Sequence, residues 1–327
     1  MAEPLYVGVD LGGTNLRAAL VNTSTGEVVS DARTATRAEE GPGAVIERMA
    51  ALVRRLMSAS TPVAVGIGVP GLYDPETNAV RFLPNLPTAW RGIPLGTEIS
   101  HRCGLPTCLV NDARAFALAE ATFGAGRGAR NVVGVTVGTG IGGGVVIGRR
   151  LYTGLDGTAG EVGHQIIDYN GPPCGCGSRG CLEAHASAPA IATMGVKAVR
   201  QGRTTRIRDL VQGDLNRITP EVIVQAAEEG DGVAQEILTE AGMLLGIGLS
   251  NLITLFSPDV VVIGGGVAKA GERLLHPIRE TVRARCRVTP VERIRICLAE
   301  LGDNAGAIGA AVWARERFGA DGDRCGV

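Results

Sequence analysis

The stretch YVGVDLGGTNLRAALV, residues 6–21, sets apolar and β-branched residues on both sides of a break made by Gly12, Gly13 and Thr14. It predicts a β-hairpin whose turn exposes backbone N–H groups and the Thr14 hydroxyl. Such a turn can cradle phosphate, and Asp10 beside it can hold a hydrated Mg2+. An ordinary hairpin uses the same residues, so the turn alone decides nothing. The pattern returns, however. NVVGVTVGTGIGGGVVIG, residues 131–148, repeats β-branched flanks around Gly138, Thr139 and Gly140. Two such hairpins well over 100 residues apart imply a duplicated α/β scaffold with two phosphate-facing turns across a cleft. A third segment, DVVVIGGGVA (259–268), reads as a buried strand running into Gly264, Gly265 and Gly266, where a nucleotide base or ribose can approach closely. GxGxxG does not follow the first strand and GxxxxGK[ST] is absent, which argues against a dinucleotide fold or a P-loop.

At 327 residues the chain suits two lobes, and 45% hydrophobic content excludes wholesale disorder. A formal net charge of -1 gives no electrostatic case for a nucleic-acid partner. Five arginines between residues 200 and 217 are interspersed with Asp209 and Asp214, the pattern of a solvated surface segment. The beginning, MAEPLYVGVD, shows no secretory signal. The uncharged run 132–148 approaches membrane-spanning length. Seven of its 17 residues are glycine, each costing a helix roughly 1 kcal/mol, so strand–turn–strand is expected there and no membrane association. A cytoplasmic location follows, where disulfides are rare.

That compartment gives the cysteines their meaning. His164, Cys174, Cys176 and Cys181 are spaced H-x9-C-x-C-x4-C, a Cys3His set suited to structural Zn2+. Gly175, Gly177 and Gly180 let the backbone fold around an ion, and Pro172 and Pro173 argue against a helix. Free thiols in a loop are the alternative. Cys103, Cys108, Cys286, Cys297 and Cys325 form no cluster and read as small buried or incidental residues.

Two further segments carry candidates for chemistry. VAVGIGVPGLYD (63–74) reads as a buried strand ending at a Pro70-Gly71 turn. CLVNDARAFALAE (108–120) reads as a strand ending at Asn111-Asp112, then a helix. Asp112 is there either an N-cap or a general base at the end of a strand, where open α/β sheets bind ligands.

DLGGTNLR, PNLPTAW, NDARA, GTGIGGG, AGEVGH with CGCGSRGCLE, and SPDVVVIGGGVA, in that order, resemble the ROK family of sugar kinases and sugar-responsive repressors across almost the whole chain. The layout is nearest to the ROK glucokinases. The resemblance implies an actin-like ATPase fold (hexokinase/ribonuclease H-like), duplicated and two-lobed with a cleft between the lobes. It also implies transfer of phosphate from ATP with Mg2+ to glucose or a related hexose, a structural Zn2+, and a homodimer or homotetramer.

Its residue roles follow. Asp112 is the catalytic base for the sugar 6-hydroxyl, and Asn111, Glu161, His164 and Glu183 bind other hydroxyls, with Gly71 and Asn85 completing the pocket. Gly12, Gly13, Thr14, Gly138, Thr139 and Gly140 hold phosphates, and Gly264, Gly265 and Gly266 border the adenosine. His164, Cys174, Cys176 and Cys181 bind zinc, which fixes the His164 tautomer so that its other ring nitrogen faces a sugar hydroxyl. The expected lobes are 1–111, with a C-terminal helix within 303–327 returning to it, and 112–302, carrying the zinc loop 164–181. Residues from Ala320 onward are expected to fray.

Two other readings stand beside this one. A ROK repressor carries an added helix-turn-helix, for which a hairpin starting by Tyr6 leaves no room. A kinase for mannose, fructose or an N-acetylhexosamine, or one using polyphosphate, would share the same motifs. PNLPTAWRGIPL (84–95) resembles the glucokinase sugar loop, and Leu72 offers no donor for an N-acetyl carbonyl.

Overall fold

The computed structural model describes residues 4–319 except Ala59 and Asn85; Asn85, Cys325 and the tail from Ala320 lie outside the described residues. β1 (Leu5–Leu11) and β2 (Asn15–Asn22) form the hairpin expected from the first motif, with Asp10 opposite Arg17. β3 (Val28–Ala35) pairs with β2, and helix α1 (Pro42–Met57) leads to β4 (Val65–Val69), parallel to β1. A small pair, β5 (Leu72–Asp74) and β6 (Ala79–Phe82), and helix α2 (Leu95–Cys103) precede β7 (Thr107–Asn111), parallel to β4. The sheet order is β3-β2-β1-β4-β7, and every residue of β4 is buried, as in a central strand covered on both faces.

Helix α3 (Asp112–Thr122) leads into β8 (Val132–Val137), β9 (Ile141–Ile147) and β10 (Arg150–Leu151). The helices α4 (Leu182–Ala186), α5 (Ala188–Arg200), α6 (Arg206–Leu210), α7 (Pro220–Glu228) and α8 (Gly232–Phe256) follow. Then come β11 (Val260–Gly264), α9 (Glu272–Arg285), β12 (Arg295–Leu298) and α10 (Ala305–Phe318). The second sheet runs β10-β9-β8-β11-β12, with β11 parallel to both β8 and β12. It repeats the order of the first: an edge pair, a central strand, then two parallel strands. This is the duplication implied by the two hairpins, and the architecture is that of the actin-like ATPases.

By contacts the chain divides into two compact units. The first takes residues up to Gly128, Gly144–Gly160 and the chain from Glu300; the second takes Ala129–Gly143 and Glu161–Ala299. The expected lobes drew the division at 111/112, whereas the contacts keep α3 with the first unit, because it packs along α10.

Within the first unit, α10 lies on the sheet with almost no spacer. A Cβ on Gly8 would stand 1.7 Å from the Ala307 carbonyl oxygen, and one on Gly66 would stand 1.8 Å from that of Ala310. Glu120, fully buried near the end of α3, accepts the backbone N–H groups of Ala125 (2.8 Å), Glu300 (3.1 Å) and Leu301 (2.9 Å), which pins the start of the segment leading to α10.

Within the second unit, α8 packs along α9, with Gly242 and Gly246 against Pro277 and Thr281. Its 25 residues are long and apolar enough to cross a membrane, but most of the apolar window is buried inside the protein, as in a core helix. The run 132–148 forms β8, a turn and β9, as expected. The arginines at 200, 203, 206, 208 and 217 are all exposed, and Arg203 pairs with Glu236 at 2.7 Å.

The α10 contact gives a direct test. Gly66→Ala forces a methyl group into the Ala310 carbonyl and is expected to cost about 3 kcal/mol. Denaturant unfolding monitored by circular dichroism measures it; a loss below about 0.5 kcal/mol would show that α10 does not sit this close.

Candidate active site and metal centre

The glycine-rich segments and Asp112 all sit at the carboxyl ends of strands, where sheets of this kind bind ligands: the first turn after β1, the second after β8, the third at β11 and Asp112 after β7. The first turn is braced from outside. Gly12 N–H donates to Asn15 O (3.0 Å), Thr36 Oγ1 to Gly12 O (2.6 Å) and Thr36 N–H to Thr14 O (2.8 Å), while Gly13 and Thr14 remain exposed. In the second turn Gly138 N–H donates to Gly140 O (2.9 Å), and Ala188 N–H at the head of α5 donates to Gly138 O (2.8 Å). In the third, Gly265 has φ +89°, and a Cβ there would stand 2.4 Å from Val137 O, so glycine is required twice over.

Asp10 closes β1 against α10, where a Cβ on Gly306 would touch its carboxylate at 3.0 Å. Burial raises its pKa above the ordinary carboxylate value, and the facing Arg17 offsets this only in part. Arg17 is itself held by Asp303, through the side chain at 3.0 Å and the backbone carbonyl at 2.7 Å.

At the head of α3 the structure separates two neighbours that the sequence left ambiguous. The N-cap is Asn111, whose Oδ1 accepts the N–H groups of Ala113 and Arg114, both at 3.1 Å. Its Nδ2 donates to Gly71 O at 3.2 Å, so both ends of the Asn111 amide are engaged locally. Asp112 is therefore not the cap. It is the first helical residue, partly buried, with Oδ1 taking Ala113 N–H at 2.8 Å. Gly71 also lacks room for a side chain, since a Cβ would stand 2.2 Å from Phe82 O.

The Cys/His set comes together. The ligand atoms of His164, Cys174, Cys176 and Cys181 lie within 4.8 Å of one another. Cys176 Sγ is 3.7 Å from Cys181 Sγ, and Cys174 Sγ is 3.7 Å from His164 Nδ1. A tetrahedron with Zn–S bonds of about 2.3 Å has S···S edges of about 3.8 Å, so the donors fit zinc in both chemistry and spacing. Nδ1 faces the sulfurs, which leaves Nε2 as the outward nitrogen.

Gly177 and Gly180 provide the tight path with φ +92° and +70°. Gly175 has neither a positive φ nor a close neighbour, so its place in the loop has no steric reason. Burial pushes the Cys181 thiol up to about 12, whereas the Ser178 backbone N–H lowers that of Cys176. The remaining described cysteines are dispersed: Cys103, Cys108 and Cys286 are buried and Cys297 is half-buried.

Glu183, two residues past Cys181, sits between this centre and the second turn. Its Oε2 accepts Ile141 N–H at 2.9 Å, and its Oε1 lies 3.8 Å from Cys174 Sγ. Glu161 is exposed, and its carbonyl accepts His164 N–H at 3.1 Å. Residue-type reasoning missed the partner of Glu183 because a backbone N–H has no sequence signature. It also missed Glu120, although an acid inside FALAEATF is a signal that it is paired.

Comparison with known proteins gives one consistent result. The ROK family profile matches residues 6–317. The chain is 39% identical over 319 residues to a glucokinase of Thermotoga maritima, covering 98% of this chain and all of that one. It is 34% identical to a putative xylose repressor of a Caldicellulosiruptor species, over 93% of this chain and 76% of the repressor. Among solved structures, a ROK family glucokinase from Streptomyces griseus, in complex with glucose and AMPPNP, matches with a TM-score of 0.82 at 36% identity, over 95% of this chain and 99% of that chain.

Two measurements test the site. Wild-type protein is expected to carry one zinc per chain by mass spectrometry of the metal content; Cys181→Ala is expected to carry none and to melt several degrees lower. Zinc-free wild-type protein with unchanged melting would rule out a structural metal.

Because burial raises the Asp10 pKa, the folded chain binds this proton more tightly than the unfolded one. Stability therefore falls as pH rises from the ordinary carboxylate value through the raised one. Asp10→Asn is expected to raise the melting temperature of nucleotide-free protein at neutral pH and to flatten this dependence, as thermal melts across pH will show.

Proposed function

Since the chain belongs to the ROK family, we propose that it is an ATP-dependent hexose kinase of the glucokinase type, moving the γ-phosphate of MgATP to the 6-hydroxyl of glucose. The observation that carries this reading is the position of Asp112. It stands at the carboxyl end of a parallel strand, relieved of capping duty by Asn111. A carboxylate so placed can accept the hydroxyl proton as the sugar oxygen bonds to phosphorus. Phosphoryl transfer has a loose transition state, so positioning and charge neutralisation carry most of the rate and an aspartate of ordinary basicity suffices.

The turns containing Gly12, Gly13 and Thr14 and Gly138, Thr139 and Gly140 hold the phosphates, with Asp10 on the hydrated Mg2+ of the nucleotide. Gly264, Gly265 and Gly266 border the adenosine. Asn111, Glu161, His164 and Glu183 bind sugar hydroxyls, His164 through Nε2 and Asn111 beside its capping bonds to Ala113 and Arg114, with Asn85 and Gly71 shaping the pocket. A zinc ion with four protein ligands has no open position, so it would order the loop rather than activate water. We place the enzyme in the cytoplasm as a homo-oligomer.

The second reading, a sugar-responsive regulator, is favoured by the match to the xylose repressor. Identity favours the kinase: the chain is 39% identical to the glucokinase relative and 34% to the repressor.

ADP release with MgATP over a panel of hexoses and N-acetylhexosamines separates these readings. Turnover on glucose is expected, and Asp112→Ala is expected to lower kcat by about 10²–10⁴-fold while the sugar KM moves only a few-fold. Turnover on no sugar by zinc-replete protein would leave the regulator. Preference for another sugar would keep the chemistry and change the substrate.

A further inference from the structure

The second glycine-rich turn is held at its exit residue, Ile141, from both sides. Against the Ile141 carbonyl packs Gly163, where a Cβ would stand 2.0 Å from the oxygen. On the other side, Ile141 N–H donates to Glu183 Oε2 at 2.9 Å. The same oxygen lies 2.5 Å from where a Cβ on Gly140 would be, so glycine at 140 makes room for this carboxylate. The other oxygen of Glu183 is 3.8 Å from Cys174 Sγ, a member of the metal set.

We infer that Glu183 is a positioning residue for the nucleotide side of the site: it fixes the turn of residues 138–141 onto the metal loop, in addition to any contact with sugar. The inference rests on the kinase reading for what the turn binds. The physical argument is one of strength. The hydrogen bonds inside the turn are between neutral groups, such as Gly138 N–H to Gly140 O at 2.9 Å. The bond to Glu183 has a charged acceptor and is roughly twice as strong. A turn that presents N–H groups to phosphate gains from being rigid beforehand, since ordering it on binding would cost affinity. Glu183 therefore links the metal loop to phosphate binding through Ile141, and the sequence places these partners 42 residues apart.

The test uses the zinc-loaded full-length protein and compares wild type with Glu183→Ala, Glu183→Gln and Gly140→Ala. The glutamine keeps an oxygen that can accept Ile141 N–H, and the Gly140→Ala methyl displaces the carboxylate while leaving it in the chain. Amide hydrogen exchange at Ile141 is expected to be about tenfold faster in Glu183→Ala and Gly140→Ala, and to fall between those and the wild-type rate in Glu183→Gln, whose amide oxygen accepts the bond without a charge. Calorimetry with MgAMPPNP, without sugar, is expected to show about tenfold weaker binding in Glu183→Ala and an intermediate affinity in Glu183→Gln.

Unchanged exchange at Ile141 overturns the anchoring. Faster exchange with unchanged nucleotide affinity overturns the positioning role, as does loss of sugar affinity alone. Wild-type protein that binds no nucleotide at all would instead sink the kinase reading, and the exchange rates would still decide whether Glu183 holds the turn.

Discussion

The backbone of α10 lies directly on β1 and β4, and the first unit takes its form from that contact. No side chain separates them at Gly8 or Gly66, and on the other flank a Cβ on Gly309 would stand 1.8 Å from Ala115 O of α3. Helices separated by ordinary side chains pack at about 8–10 Å, and the Gly309 contact requires a closer approach. Two consequences follow. Gly306 is brought against the Asp10 carboxylate, and α3 is fixed along α10, which fixes Asp112 at its head. The glycines at 8, 66, 306 and 309 are thus one device, and its product is the placement of two acids.

The second unit reaches the same end by different means. Its glycine-rich turn is held by Gly163 against the Ile141 carbonyl, by Ala188 N–H at the head of α5 on Gly138 O and by Glu183 on Ile141 N–H. Both chain segments that supply Gly163 and Glu183 are set by the Cys/His loop, since His164 follows Gly163 and Cys181 precedes Glu183. A loop of residues 164–181 with few apolar side chains cannot hold itself by burial, and a metal ion bound by the four ligand atoms, which lie within 4.8 Å of one another, would supply what a core does.

Much of this was legible in the sequence. Both hairpins, the buried strands at 65–69 and 260–264, and the strand–helix junction at Asn111-Asp112 follow from apolar periodicity broken by glycine, and all are present. The clustering of His164, Cys174, Cys176 and Cys181 was legible because ligand chemistry depends on residue type and spacing. The capping assignment was not. Asn and Asp cap helices about equally well, and the choice between Asn111 and Asp112 rests on which residue leaves helical φ/ψ; Asn111 does, at φ -68° and ψ 143°. The anchors Glu183 and Glu120 were hidden because their partners are backbone N–H groups up to 181 positions distant, which carry no residue-type signal. Among the described residues, helix α8, rather than the glycine-rich run at 132–148, is the apolar helix of membrane-spanning length, and most of its apolar window is buried.

Asp10 and Glu120 show how the first unit treats two acids withdrawn from water. Glu120 is fully buried and meets three backbone N–H groups, so its charge is compensated by the chain itself and its role is complete in the folded state. Asp10 is raised in pKa by burial, and its facing cation, Arg17, also serves Asp303, so its charge is compensated only in part. A folded chain gains nothing by itself from such an arrangement; a bound cation would recover the free energy. On the kinase reading, the position of that deficit, at the end of β1 beside the exposed Gly13 and Thr14, is where the Mg2+ and phosphates of a nucleotide would arrive together. The same residue that lowers the stability of the empty protein would then raise its affinity for the loaded nucleotide, and the two effects have one cause in the burial of a single carboxylate.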